Sequence, residues 1–246
     1  MLFLTVLALF GFVEVRGYLP PSLSVCHRDD PDLDRCVIAV VNKLRTNIAS
    51  GDFGDGVMVP SLDPAYIDRL DVDDGANLHA VFKNLTVTGG KNFNVDKLSV
   101  NVPDKTMNML ITLNKLKLKG RYTMKMKISL LQIDGDGDAT LDMTDTKFLL
   151  KMHYLLNKQN DTGRTTMKFA PVDLKVKFAG DSKFHLTNLL RNQPRLNKAA
   201  NEAINESPEL ILEKAKPAVQ QFFSKAFTEI ANGVMKEAEE EEAFPL

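Results

Sequence analysis

The chain has 246 residues, with 31 basic and 32 acidic side chains and a formal net charge of −1. Without a basic surplus there is no general electrostatic reason for it to bind nucleic acid. At this length it can bury a substantial core, and ten methionines and 14 phenylalanines with no tryptophan make that core one of adaptable shape.

At the N-terminus, residues 2–13 form an apolar run broken only by Thr5 and Gly11, and Val15 and Gly17 behind it are small enough to flank a cleavage point. The run is shorter than the about 20 residues a membrane span needs. It reads as a secretory signal peptide over residues 1–17, with an N-terminal anchor as the alternative, although no Lys or Arg precedes it. The mature chain is then expected to be a single domain over residues 18–246, secreted and without stable membrane insertion. Losing Glu14 and Arg16 together leaves its charge unchanged.

Both cysteines follow closely, in "SVCHRDDPDLDRC" at Cys26 and Cys36. In an oxidising compartment they are expected to pair, closing a short loop at about 2–3 kcal/mol on the chain-entropy estimate. A zinc site would need further ligands from His27, His79, His153 and His185, which form no close pair, and a redox centre would want C-x-x-C. Three N-x-S/T triplets, at Asn84, Asn160 and Asn205, are candidate glycosylation sites, the last weakened by Pro208 after its serine.

After Asp34, a candidate N-cap, Val37, Val40, Val41, Leu44 and Ile48 recur at helical steps up to Gly51. From about residue 75 to 180 the period becomes two. "YTMKMKISL" places Tyr122, Met124, Met126, Ile128 and Leu130 on one face and Lys125 and Lys127 on the other; "VDLKVKF" alternates in the same way. Further strand-like runs lie at 78–87, 97–102, 109–119, 139–143 and 147–156. Together they predict a long, bent antiparallel sheet with one wet, lysine-bearing face and one apolar face.

The last third supplies helix to cover that apolar face. A short helix over 195–205 precedes a long one that opens at Ser207-Pro208 and carries Leu210, Ile211, Val219, Phe222, Phe223, Phe227 and Ile230 as its apolar stripe. Some 25 residues reach roughly 40 Å, and Pro217 inside predicts a kink. The acidic end "EAEEEE" reads as a solvated, frayed tail.

"DGDGD" at 134–138 imitates the start of a calcium loop, but Ala139 stands where glycine is required and Asp145 where a glutamate is usual. A tight hairpin turn accounts for the same residues. The chain has no G-x-S-x-G, no H-E-x-x-H and no histidine beside a plausible nucleophile, so neither an enzyme nor a cofactor is expected. Methionines on the strands usually fill a core; the functional reading is that a curved sheet around a long helix leaves an elongated apolar cavity able to hold a lipid.

This sequence resembles the insect juvenile hormone-binding protein and takeout family of secreted lipid carriers. The matching residues are Cys26 and Cys36 around "DPDLDRC", Gly51, "VPSLDPAYIDRLDV" from Val59 to Val72, "LKGRYTMKMKISLLQIDGDGDATLDMTD" from Leu118 to Asp145, "LTNLL" at 186–190, "LNKAANEAINES" at 196–207 and Lys216-Pro217. With one cysteine pair where the hormone carriers have two, it is closer to the takeout-like branch. The resemblance implies an α+β super-roll, a curved antiparallel sheet wrapped around the long C-terminal helix, enclosing an apolar tunnel for a terpenoid, fatty acid or similar small hydrophobic ligand. On that reading Tyr122 is the candidate polar contact, and Met124, Met126, Phe178, Val219, Phe222 and Phe223 are candidate walls; any of them could equally be ordinary core. A ligand of about 20 heavy atoms at about 0.3 kcal/mol each would gain about 6 kcal/mol. The competing reading is a secreted protein-interaction module whose interior is filled by its own side chains.

Overall fold

The period-two segments come together as one antiparallel sheet in the computed structural model, which describes residues 19–128, 131–159, 163–191 and 193–246. The expected signal peptide and the Asn160 acceptor lie outside these residues. Strands β1 (Ala65–Asp73), β2 (Leu78–Thr88), β3 (Phe93–Asn101), β4 (Thr106–Ile128), β5 (Leu131–Lys158), β6 (Thr165–Phe169), β7 (Asp173–Phe178) and β8 (Ser182–Leu186) are framed by helices α1 (Leu33–Lys43), α2 (Arg45–Ser50), α3 (Asn197–Glu206), α4 (Glu209–Val234) and α5 (Glu240–Ala243). The fold is therefore the expected α+β roll.

The β4–β5 hairpin is its spine. It holds one register from Thr106 opposite His153 to Ile128 opposite Leu131. Fully extended, the 28 residues of β5 would reach about 90 Å, too long for any other strand to follow throughout. The outer edge of β4 pairs with β3 along one half and β2 along the other, while β5 pairs in turn with β8, β7 and β6.

Midway, the spine turns over. Up to Leu113 the odd-numbered residues of β4 face inward, and from Leu116 the even ones do; on β5 the change falls between Met143 and Thr146. Asp145 sits between them at φ 48°. Side chains on a strand alternate between faces, so a simultaneous change on both strands means that the ribbon rolls over and presents its other face to the core. In β2 the same change falls at Asn84, φ 51°, beside a register shift between Lys83 and Thr86. The alternation read as separate strands in the sequence is thus two long strands, each with a change of face. Strand β1 escaped that reading because Asp68 and Arg69 face outward consecutively.

The "DGDGD" segment is not a hairpin turn, contrary to the expectation above. It lies within β5, with its aspartates outward and its glycines beneath the crossing chain at 187–190. A Cβ on Gly137 would lie 2.4 Å from the Thr187 carbonyl oxygen, and one on Gly135 would lie 2.6 Å from that of Asn188. Only glycine admits such an approach. The carboxylates are taken by arginines: Arg191 reaches Asp136 at 2.9 Å and Arg121 reaches Asp138 at 3.1 Å.

The helices differ from expectation in detail, whereas the expected disulfide is present. The N-terminal helix is broken at Leu44, and its N-cap is Asp32, while the Asp34 carboxylate accepts the Val100 N–H of β3 at 2.7 Å. The Cys26–Cys36 disulfide is formed and ties the N-terminal arm to the first turn of α1. The long helix α4 continues through Pro217, and Leu212 rather than the exposed Leu210 fills its first buried turn.

The acidic tail is docked, not frayed. Glu239 accepts Arg164 at 2.9 Å, Glu240 accepts the Tyr154 hydroxyl at 3.1 Å, and Ala238, Ala243 and Phe244 are buried. The charges are held by partners at close range while small apolar residues between them pack. Tyr154 is consequently harder to ionise than a free tyrosine, first because of burial and then because of the Glu240 charge.

Two polar ladders bind the helices to strand edges. On α3, Asn197, Asn201 and Asn205 stand one helical turn apart. Their side-chain oxygens accept the N–H groups of Leu189, Leu186 and Phe184 at 2.7, 2.8 and 2.7 Å. On α4, Gln220, Thr228 and Asn232 accept from Val176, Val172 and Phe169, and Ser224 donates to the Val172 carbonyl. Side chains four apart share a helix face, so each row replaces the neighbour that an edge strand lacks. Asn205, expected as a sugar acceptor, also donates to Phe184 at 2.8 Å; a glycan on that nitrogen would break the ladder. Asn84 is exposed on the β2 bulge.

Candidate functional site

Between the sheet and α4 the packing is incomplete in two places. The larger cavity, about 220 Å³, is walled by Val41, Leu44 and Ile48 from α1, α2 and their junction, by Phe93 of β3 and Met107–Leu113 of β4, by Phe148–Met152 of β5, and by Phe223–Val234 of α4. The smaller, about 70 Å³, lies under β1, β2 and β5 against Ile211, Ala215 and Val219. Val87, Leu116, Phe148 and Phe223 border both. Phe148 and Phe223, with ring centroids 5.0 Å apart, form the partition, and Phe227 backs it at 6.3 Å from each.

A cavity of ~150 Å³ accommodates benzene, or roughly 25 Å³ per heavy atom. On that scale the larger cavity fits roughly nine heavy atoms and the smaller roughly three. Together they approach the lower end of the about 300–1,000 Å³ usual for small-molecule sites. A ligand of about 20 heavy atoms would require the aromatic partition to move.

The chemistry of the walls is almost uniform. Apart from glycine and apolar side chains, the larger cavity meets, among the described residues, only the exposed Lys91. The 89–93 turn that carries Lys91 is braced from two sides. Asp63 accepts its Gly89 and Lys91 N–H groups at 3.3 and 3.0 Å, and Arg45 donates to the Lys91 carbonyl at 3.0 Å and to that of Phe93. The Arg45 guanidinium also lies 4.1 Å over the Phe93 ring, a cation–π contact. At the smaller cavity the polar residues are Thr140 and Thr146, and the buried Thr146 hydroxyl has no hydrogen-bond partner among the described residues.

The residues singled out from the sequence divide between these places. Phe223 borders both cavities, and Phe178 and Val219 border the smaller. Phe222 packs edge-to-face against Phe223, at 5.2 Å, without bordering either. Tyr122, Met124 and Met126 border neither. They fill the core towards the hairpin tip, where the Tyr122 hydroxyl donates to the Thr187 carbonyl at 2.7 Å. Burial, with the Asp136 charge second, raises the pKa of Tyr122, so that donor stays protonated and occupied. The residues missed were those of the larger cavity, Met107, Met109 and Met152 above all. Their signal was the cluster of methionines on paired strands; what the sequence lacked was which strands pair there.

Among the described residues no three His, Cys, Asp or Glu side chains converge for a metal ion, and no helix is long and apolar enough to cross a membrane.

The comparisons with known proteins agree with this architecture. The model of the family described as "Haemolymph juvenile hormone binding protein (JHBP)" matches residues 3–245. "Circadian clock-controlled protein daywake" of Drosophila melanogaster is 22% identical over 235 residues, 90% of this chain and 86% of that protein. The crystal structure of Epiphyas postvittana Takeout 1 superposes with a TM-score of 0.78 at 20% identity, covering 91% of this chain and all of that one. A likeness at that identity carries the fold alone. The family match spans almost the whole sequence, and this chain belongs to the haemolymph juvenile hormone binding protein family, with the takeout fold.

Proposed function

We propose that this protein is a secreted, non-enzymatic carrier that holds a small hydrophobic molecule between the curved sheet and α4. The observation that carries the reading is the larger cavity, about 220 Å³ bounded by aliphatic, aromatic and methionine side chains. Water gains few hydrogen bonds in such a space, whereas an apolar ligand leaves water and regains dispersion contacts along the walls. Flexible Met107, Met109 and Met152 let the walls adapt to more than one ligand shape. Membership of a family described as binding juvenile hormone, a hydrophobic molecule, supports the same conclusion.

The test is to express the protein in a secreting host, purify it without refolding, and identify by mass spectrometry what organic extraction releases. Uptake of naphthalene, an apolar fluorophore of about ten heavy atoms that matches the larger cavity, is measured in parallel. A stoichiometric hydrophobic compound, or probe binding that Ala231→Phe abolishes by filling the cavity while the far-ultraviolet spectrum is retained, supports the carrier. An empty protein that takes up no probe sinks it and leaves the protein-interaction module.

A further inference from the structure

Polarity is distributed unevenly around the proposed ligand space. Among the described residues Lys91 is the only charged one bordering the larger cavity, and none borders the smaller. Its ammonium group takes part in no ion pair among the described residues, although salt bridges are common elsewhere on the surface. The backbone of this lysine, by contrast, is held firmly, by Asp63 on its N–H and Arg45 on its carbonyl. A lysine in this position lays its methylene stem along apolar surface and keeps its charge at the rim.

The three charged side chains at this turn, Lys91, Arg45 and Asp63, sum to one positive charge. From there inward, through Phe93 and Met109 to the Phe148–Phe223 partition, no other charged side chain borders the space among the described residues. One cationic end and a uniformly apolar remainder complement a molecule built the same way, with one anionic end and one hydrocarbon tail.

We infer that the ligand is a carboxylate-bearing amphiphile of medium chain length, seated with its carboxylate on Lys91 and its tail directed at the Phe148–Phe223 partition. The inference rests on the carrier reading and adds a head-group preference and a length to it. Roughly nine heavy atoms fit before the partition and roughly twelve with the smaller cavity included. A tail of about nine carbons, that of decanoic acid, therefore fills the space before the partition, and longer ones must displace Phe148 or Phe223 to enter the smaller cavity.

The experiment is displacement of naphthalene, a neutral probe, by decanoic acid, methyl decanoate and decan-1-ol at pH 7.4 and low salt. The acid is expected to displace the probe about threefold to tenfold more effectively than the ester, the range of a partly exposed charge-assisted contact. Lys91→Met should erase that preference, bringing the acid to the level of the ester. Lys91→Arg should keep it, and raising the salt concentration should shrink it. Equal displacement by acid and ester in the unmodified protein would overturn the head-group assignment and leave a carrier of neutral lipids; so would a preference that survives Lys91→Met. Should no probe bind at all, the carrier reading itself falls, and this inference with it. Because Lys91 is exposed, its substitution is expected to leave the melting temperature in place, and melting curves of both variants check this.

Discussion

At the end of the roll that carries β8 and α3, Leu186 and Leu189 are completely buried, and the asparagine ladder fastens the helix to the strand edge. At the end that carries α1, α2 and β3, the helices meet the sheet through Val41, Leu44 and Ile48, and about 220 Å³ is left unfilled. One hairpin, β4–β5, runs through both ends. Three amides in a row hold α3 along the β8 end, where the space left is the smaller one bordered by Phe184, whereas α1 and α2 add isolated polar contacts, Asp34 to Val100 and Arg45 to Phe93, to apolar ones that are non-directional and tolerate a gap. The change of face at Leu113/Leu116 and Met143/Thr146 lies near the boundary between the two.

The largest expected contrast comes from truncating one apolar side chain in each end. Leu189→Ala opens a cavity in a filled region and should cost about 3 kcal/mol in denaturant unfolding. Met109→Ala enlarges a space that already exists and should cost only about 1 kcal/mol, while increasing probe uptake. Similar losses at both sites would erase the distinction.

Next is the ladder itself. Asn201→Ala removes the acceptor of the Leu186 N–H and one donor to its carbonyl, both at 2.8 Å, and should cost about 2 kcal/mol by leaving the N–H buried and unpaired, while the carbonyl keeps Asn197 at 3.1 Å. Faster amide exchange at Leu186 and Phe184 should accompany the loss, with Phe93 and Met109 unaffected. Exchange that rises at both ends alike would mean that the ends are not independent.

A smaller effect of opposite sign is expected at the boundary. Thr146→Val exchanges a buried, unpartnered hydroxyl for a methyl group of nearly the same shape and should stabilise by about 1 kcal/mol in chemical denaturation.

The smallest is a pH effect confined to the β1–β2 turn. The Asp74 carboxylate accepts the N–H groups of Leu78, Ala76 and Asn77, which lower its pKa from 3.8 to about 2. Because the folded value is the lower one, the stabilisation is present above the unfolded pKa and is lost as pH falls from about 4 to about 2. Melting curves of the unmodified protein and Asp74→Asn should differ at pH 6 and converge near pH 2. A gap that persists there would show that the carboxylate charge is not what the turn uses.

Much of this was legible in the chain. Alternation in "YTMKMKI" and "VDLKVKF" placed strands because a half-buried sheet imposes period two, and Ser207-Pro208 announced the long helix because proline suits its start. The asparagines at 197, 201 and 205 were legible too, as a row on one helix face, but their partners were not, since these lie 8–21 residues away. Tyr122 looked like a ligand contact because a buried hydroxyl needs a partner, and only the folded chain reveals that the Thr187 carbonyl is that partner.

Sequence by itself determined what depends on neighbours along the chain: which segments are strands and helices, which of their faces are apolar, and that two nearby cysteines could close a local loop. Tertiary structure decided what depends on the sum of distant contacts. It docked the acidic tail on Arg164 and Tyr154, rolled the ribbon over at Asp145, and left the unfilled volume beside Met109 rather than beside Met124. A cavity is a shortfall of packing shared among many elements, and no single stretch of sequence records it.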